Sequence, residues 1–300
     1  MISRLSSKQK FLLFFGLYVL VTIVIVAATG WHRTSNEDFQ PQNEFKLDTW
    51  FSVAGFAVNK AVIYVLAAAI LTCATMIYVA RRMKAKPNRV QTAVEVVFGL
   101  MRDNITRGNM DDRMAAKWFP FVGALFLFIW FSNLIGYIPL PTNTEHTIHF
   151  LGINWPAFAL YASTANLSIP LVLALVVWIA YNVEGVRAKG FVGYLKSLIP
   201  SGVSGPLLLL IFPLEVFSNV MRLMSLSVRL FANILAGHLI ILFMAGALAV
   251  LLGIAALGWL TVPAGVALFL FEVGLVATLQ AFIFATLTAI YLGGAVAAEH

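Results

Sequence analysis

Apolar runs long enough to cross about 30 Å of hydrocarbon, which takes about 20 helical residues, recur along the chain. They lie near 11–30, 57–80, 118–138, 165–184, 204–247 and 249–293. They predict an all-α polytopic membrane protein of about six membrane segments, with the last two overlong for a simple crossing. Between the second and third segments, 90–117 sets Val90, Val94, Val97, Leu100 and Met101 against Glu95, Arg102, Asp103 and Arg107 at helical spacing. That pattern predicts an amphipathic helix lying at the membrane interface, a solvated connector being the plainer alternative. Segments 31–56 and 139–164 read as loops rather than folded domains. The organisation expected is therefore an anchor helix with an outer loop over 1–56 and a channel-like domain over 57–300. No internal repeat suggests the inverted halves of a secondary transporter.

Composition agrees with the pattern: 61% of residues are hydrophobic and 11% charged, against about a quarter charged in soluble domains. The formal charge of +7 would suit nucleic acid, but the basic residues concentrate in short loops, which encodes orientation instead. Loops 1–10, 81–117 and 185–203 hold 15 Lys and Arg; 31–56 and 139–164 hold only Arg33 and Lys46. Both termini are thus expected on the cytoplasmic side. Arg4, Lys8 and Lys10 before the first apolar run, with Ala27 to Gly30 after it, resemble a signal peptide. The run exceeds the usual 7–15 residues or so of such a core, which favours a retained anchor, and no Arg/Ser-rich presequence points to an organelle. A bacterial plasma (inner) membrane is the expected location. Cys73 is the sole cysteine, so neither a disulfide framework nor a cysteine-based metal site is expected, and no cofactor is implied.

Between 201 and 298 the only Asp, Glu, Lys or Arg residues are Glu215, Arg222, Arg229 and Glu272, joined by His238. An ionisable group at membrane depth is costly and marks a functional path unless a partner neutralises it. At about 100° per residue, Glu215, Ser218, Arg222, Ser225 and Asn233 all fall within about 40° of Arg229. One narrow stripe gathers the polar residues from 215 to 233, and such a stripe must face protein or water. His238 falls about 180° away. Arg229 has no acidic residue within one turn, so its counter-charge comes from elsewhere, Glu272 or a partner's carboxylate being the candidates. Arginine suits a fixed positive barrier because a guanidinium keeps its charge even when buried. The plainer readings are a structural pair for Glu215 and Arg222, close packing for Ser218 and Ser225, a helix-to-helix hydrogen bond for Asn233 or Gln280, and a satisfied core histidine for His238.

The stretch Pro213-Leu-Glu215-Val-Phe-Ser218, then Arg222, then Ser225 through Arg229 and Asn233 to His238 resembles the signature of subunit a of F-type (rotary) ATP synthases. Phe119-Pro-Phe-Val, Phe131-Ser-Asn133-Leu-Ile-Gly136 and Leu279-Gln280-Ala-Phe-Ile-Phe match as well, so the resemblance covers roughly 90–300. It implies two long, tilted helices facing a ring of c subunits, with Arg229 opposite the ring's essential carboxylates. It also implies two aqueous half-channels, with the positions of His238, Asn233 and Gln280 bordering the path and Glu215 and Arg222 as polar positions of the same helix. Peripheral-stalk b subunits and other ATP synthase subunits would be partners, and the chain itself would catalyse no bond chemistry.

Two departures stand out. The family often carries an acidic residue or histidine seven positions before the glutamine, where this chain has Val273, with Glu272 one residue earlier and about 100° away. An acidic residue often precedes the fourth-span asparagine by two, where this chain has Thr164 before Asn166. Glu145, His146 and His149 are alternative lining residues. Two other classes fit less well. An independent transporter would use Arg229 to bind an anion, yet residues for a substrate cage are few. An intramembrane hydrolase would need Ser225 or Ser227 beside His238, and neither serine falls within a helical turn of it. No HExxH, Walker A or dinucleotide-glycine pattern is present.

Overall fold

The computed structural model describes residues 16–18, 20, 21, 24, 47, 49–53, 56–83, 89–150, 153–199, 206–244 and 258–297. The expected span 11–30 lies mostly outside them. Five helices among the described residues are long and apolar enough to cross a membrane: α1 (Lys60–Arg82), α3 (Asp112–Ile135), α4 (Ser168–Lys189), α6 (Leu207–Leu242), and α7 (Gly258–Phe271) continuing into α8 (Ala277–Val296). Asn59 caps α1, its Oδ1 accepting from the Val62 N–H at 3.2 Å, which satisfies one of the helix's orphan donors. The helix of the third span begins at Asp112, six residues before the apolar run. Hydropathy marks the part of a helix in lipid, whereas the backbone keeps its helical bonds through the polar first turn outside.

Where the sequence places an amphipathic helix over 90–117, the chain forms α2 (Arg89–Gly99) and then a π-helical stretch, Leu100–Arg107. Met101 and Ile105 turn inward while Leu100, Arg102, Asp103 and Arg107 are exposed. The wide turn frees carbonyls, and the Thr106 hydroxyl donates to the Met101 carbonyl at 2.6 Å. The helix stops at Gly108, short of the expected 117. The short helix α5 (Phe191–Ser197) follows α4 after Gly190, whose φ of 72° suits glycine.

The outer segments are not wholly loops. Strands β1 (Thr49–Val53) and β2 (Phe56–Asn59) pair antiparallel, as do β3 (Leu140–Phe150) and β4 (Ile153–Ala159). Thr142, Thr144, Thr147, Ile148 and Ile153 favour extended backbone, and Pro141, which cannot donate to a ladder, sits where the register shifts. The membrane segments themselves are all helical.

Two compact units divide the chain. The larger comprises 47–235 and 275–300, with α3 as its axis. Val122, Phe126 and Ile129 of α3 share a core with Ala281, Phe284, Ala285, Ala289 and Leu292 of α8, Val177 and Tyr181 of α4, and Leu226, Leu230 and Ile234 of α6. Ala277, Ala281, Ala285 and Ala289, four apart on α8, are all fully buried. Small residues at helical spacing let backbones approach where lipid supplies no hydrophobic drive. The smaller unit comprises 1–46 and 236–274; its described part includes the end of α6, then α7 and the start of a π-helical turn, Glu272–Val276, that joins α7 to α8.

Candidate functional site

Helix α6 has two faces with different fates. Asn219, Leu226, Ser227, Leu230 and Ile234 are buried, whereas Ser218, Arg222, Ser225, Arg229 and Asn233 are exposed and Glu215 is half-buried. Around them Phe217, Val220, Met221, Met224 and Val228 are also exposed. The polar stripe therefore lies on the outside of the larger unit. Two polar residues of the same stretch, Asn219 and Ser227, do not belong to it. They point inward, and the Ser227 hydroxyl donates to the Met224 carbonyl at 3.0 Å, as small polar residues in membrane helices do.

Among the described residues, Arg229 forms no ion pair, and neither does Glu215 with Arg222. The Arg222 guanidinium instead lies 5.5 Å from the centre of the Tyr291 ring, an attraction to the ring's negative face. Beside it is a polar network that sequence reasoning missed. The Tyr181 hydroxyl donates to Asn219 Oδ1, Asn219 Nδ2 donates to Asn182 Oδ1 at 3.0 Å, and the Tyr194 hydroxyl donates to the same oxygen at 2.8 Å. Trp178 Nε1 donates to the Asn219 carbonyl at 3.2 Å. The network ties α6 to α4 and α5 one turn from Arg222. Burial raises the Tyr194 pKa above its ordinary value, opposed by the nearby Arg222 charge, so this hydroxyl stays a donor.

A second missed contact is the ion pair of Lys117 with Glu184, joining the first turns of α3 to the end of α4. The Glu184 side chain is buried, and the lysine's charge offsets part of its desolvation. A third is Asn133, fully buried, whose Nδ2 donates to the Ala277 carbonyl at 3.2 Å and whose Oδ1 accepts from Thr164 at 2.8 Å. Thr164, the departure from the family's acidic residue, is thus engaged with α3. Glu145, His146 and His149 fall on β3, with His149 in register with Asn154. Gln280 is buried at the start of α8.

In the smaller unit, the Glu272 carboxylate lies against the α6 backbone at Gly237; a Cβ there would collide with it. His238, the next residue, is buried at 5% exposure. The carboxylate thus sits against the turn of α6 that carries His238, a placement spacing alone could not reveal because 35 residues separate Gly237 from Glu272.

These features define a class: a multi-pass, all-α membrane protein with an exposed cationic face on a long spanning helix, without an ion pair among the described residues. The family model described as ATP synthase A chain matches residues 61–293. Across 276 residues the chain is 33% identical to ATP synthase subunit a of Maricaulis maris, covering 88% of this chain and 99% of the relative. It is 35% identical over 253 residues to subunit a of a Nocardioides species, covering 81% and 83%, and 32% identical over 271 residues to that of Bradyrhizobium diazoefficiens, covering 87% and 98%. The chain belongs to the ATP synthase A chain family, subunit a of the F-type ATP synthases.

Proposed function

We propose that this chain is the proton-translocating stator subunit of an F-type ATP synthase, coupling proton flow to ATP synthesis through a rotating ring of c subunits. The observation that carries this reading is the position of Arg229, exposed on the outer face of a spanning helix whose other face is packed. A guanidinium facing hydrocarbon costs several kcal/mol, so that face has a partner able to supply negative charge. Carboxylates arriving in turn on a moving ring meet the need without pairing permanently. As a fixed cation Arg229 releases protons from passing carboxylates by favouring their charged form, and it blocks a direct leak.

In this reading Asn233, Ser225, Arg222 and Glu215 line the ring-facing stripe, and two aqueous half-channels load and unload the ring. His238 with Glu272 is the relay on one of them. A histidine one residue along the helix from the backbone that a carboxylate touches suits proton transfer, and Gln280 borders the path from α8. Residues 57–300 form the channel domain and 1–56 an anchor helix with its outer loop. The chain is non-catalytic, sits in a bacterial inner membrane with both termini cytoplasmic, and meets peripheral-stalk b subunits besides the c ring.

The test is ATP-driven proton pumping in inverted membrane vesicles. Arg229→Ala is expected to abolish pumping while the subunit remains assembled, and His238→Ala to slow it without uncoupling. Normal pumping by the Arg229 variant would overturn the proposal.

A further inference from the structure

A cleft of about 440 Å³ lies between α1, α2 and α3, well within the roughly 300–1,000 Å³ typical of ligand sites. Met76 and Val79 of α1, Val97 and Phe98 of α2, and Phe119 and Trp130 of α3 form most of its wall, and its remaining residues are apolar but for Thr75. Water is a poor occupant, because an ordered water needs two to four polar partners or so. Hydrocarbon is a good one, and the neighbouring Ile70 and Ile77 of α1 are exposed.

The charges at the mouth say what kind of hydrocarbon. Arg81 follows directly on Ala80 of the wall, and Arg89 precedes Val94 of the wall by a little over one helical turn; both side chains are exposed. The sequence 81–89 holds five Lys or Arg and no Asp or Glu. A basic cluster at the end of a spanning helix, above an apolar groove, is the arrangement that recognises anionic lipid. We propose that this cleft is a phospholipid site, one acyl chain filling it and the anionic headgroup resting on Arg81 and Arg89. The chain would seal the seam between α1 and the α2–α3 pair, and the site is separate from the Arg229 face.

The test uses the whole ATP synthase complex, purified and reconstituted in an equal mixture of phosphatidylglycerol and phosphatidylcholine, then returned to detergent, with retained phospholipid counted by mass spectrometry. The native complex is expected to retain phosphatidylglycerol in excess. Arg81→Gln with Arg89→Gln should reduce that preference roughly tenfold or more, at the strength expected for two basic groups near a membrane surface. Gly123→Leu should lower the count by one phospholipid of either headgroup per copy of this subunit. A Cβ at Gly123 meets only Met101 Sδ at 3.8 Å and the Phe119 ring at 4.0 Å, so the larger side chain enters the cleft without displacing backbone. The arginine pair is exposed and decides the matter even if the leucine variant fails to assemble. Equal counts and equal preference in the native and arginine-variant complexes would overturn the proposal. So would efficient cross-linking of a cysteine at Met76 or Val79 to a helix of another subunit, which would make the cleft a protein interface.

Discussion

A guanidinium, a carboxylate and an imidazole on membrane helices each raise the question of what holds them in place. For Glu272 the answer is a missing side chain. Gly237 leaves the space that the carboxylate occupies against α6, so Gly237→Ala must push Glu272 away. Misplacement by about 1 Å can cost about a hundredfold in rate. Proton flux in vesicles is expected to fall by tens of fold in Gly237→Ala, and shortening the acid with Glu272→Asp in the same chain should recover part of it. Unchanged flux in the alanine variant would remove Glu272 from the path. A different residue reports on stability. Tyr161 lies outside the spans, its ring 5.8 Å from that of Tyr64 and 5.0 Å from the Lys60 ammonium. Burial raises its pKa from 10.0 to about 12, against a smaller lowering effect of Asn166. The folded state therefore holds this proton more tightly than the unfolded chain does. Stability from this group is complete below about pH 10 and is lost as pH rises toward about 12. Tyr161→Phe is expected to flatten the fall in melting temperature across that window, and an unaltered slope would count against the assignment.

Helices carry the residues, and two of them depart from regular geometry. The π-helical stretches Leu100–Arg107 and Glu272–Val276 each take up residues that a uniform α-helix would turn to another side, as such turns commonly do near functional positions. Phase angles drawn from 100° per residue cannot see them, which is why Leu100, expected on the apolar face, is exposed, and why the angular offset assigned to Glu272 from spacing is unsafe. Asn219 went unassigned for a different reason. Its partners Tyr181 and Asn182 come from α4, with Tyr194 of α5 beside them, and no pattern within α6 announces them. Replacing Asn219 with leucine leaves Tyr181 and Asn182 short of partners at a buried site, a loss of about 1–3 kcal/mol. The variant complex is expected to melt earlier in detergent, with Arg222 less firmly set. An unchanged melting temperature would mean that the network contributes nothing net.

For the molecule as a whole, the membrane spans were readable because crossing lipid demands an apolar run that nothing else requires. The stripe centred on Arg229 was readable because charges in such runs are so few. The hairpins were not, since polar outer segments carry no alternating pattern strong enough to distinguish strand from loop. Nor was the pairing of Lys117 with Glu184, 67 residues apart. The outward direction of the stripe leads to a measurement. With Cys73 replaced by serine, single cysteines at Val220, Met224 and Val228 should cross-link to a neighbouring subunit of the complex, whereas cysteines at buried Leu226 and Ile234 should not; the reverse pattern would place the partner on the other face. The make-up of that outer face also bears on friction. Around Arg229 it presents Met221, Met224, Val220 and Val228, each a little over two-fifths exposed, with methionine's unbranched, polarizable chain at two positions. Side chains that conform to whatever lies against them make a poor lock and a good bearing. On such a face the strong, directional attraction is concentrated at the arginines of the stripe, and in the proposed role successive ring subunits would slide over the remainder without a deep well at each step.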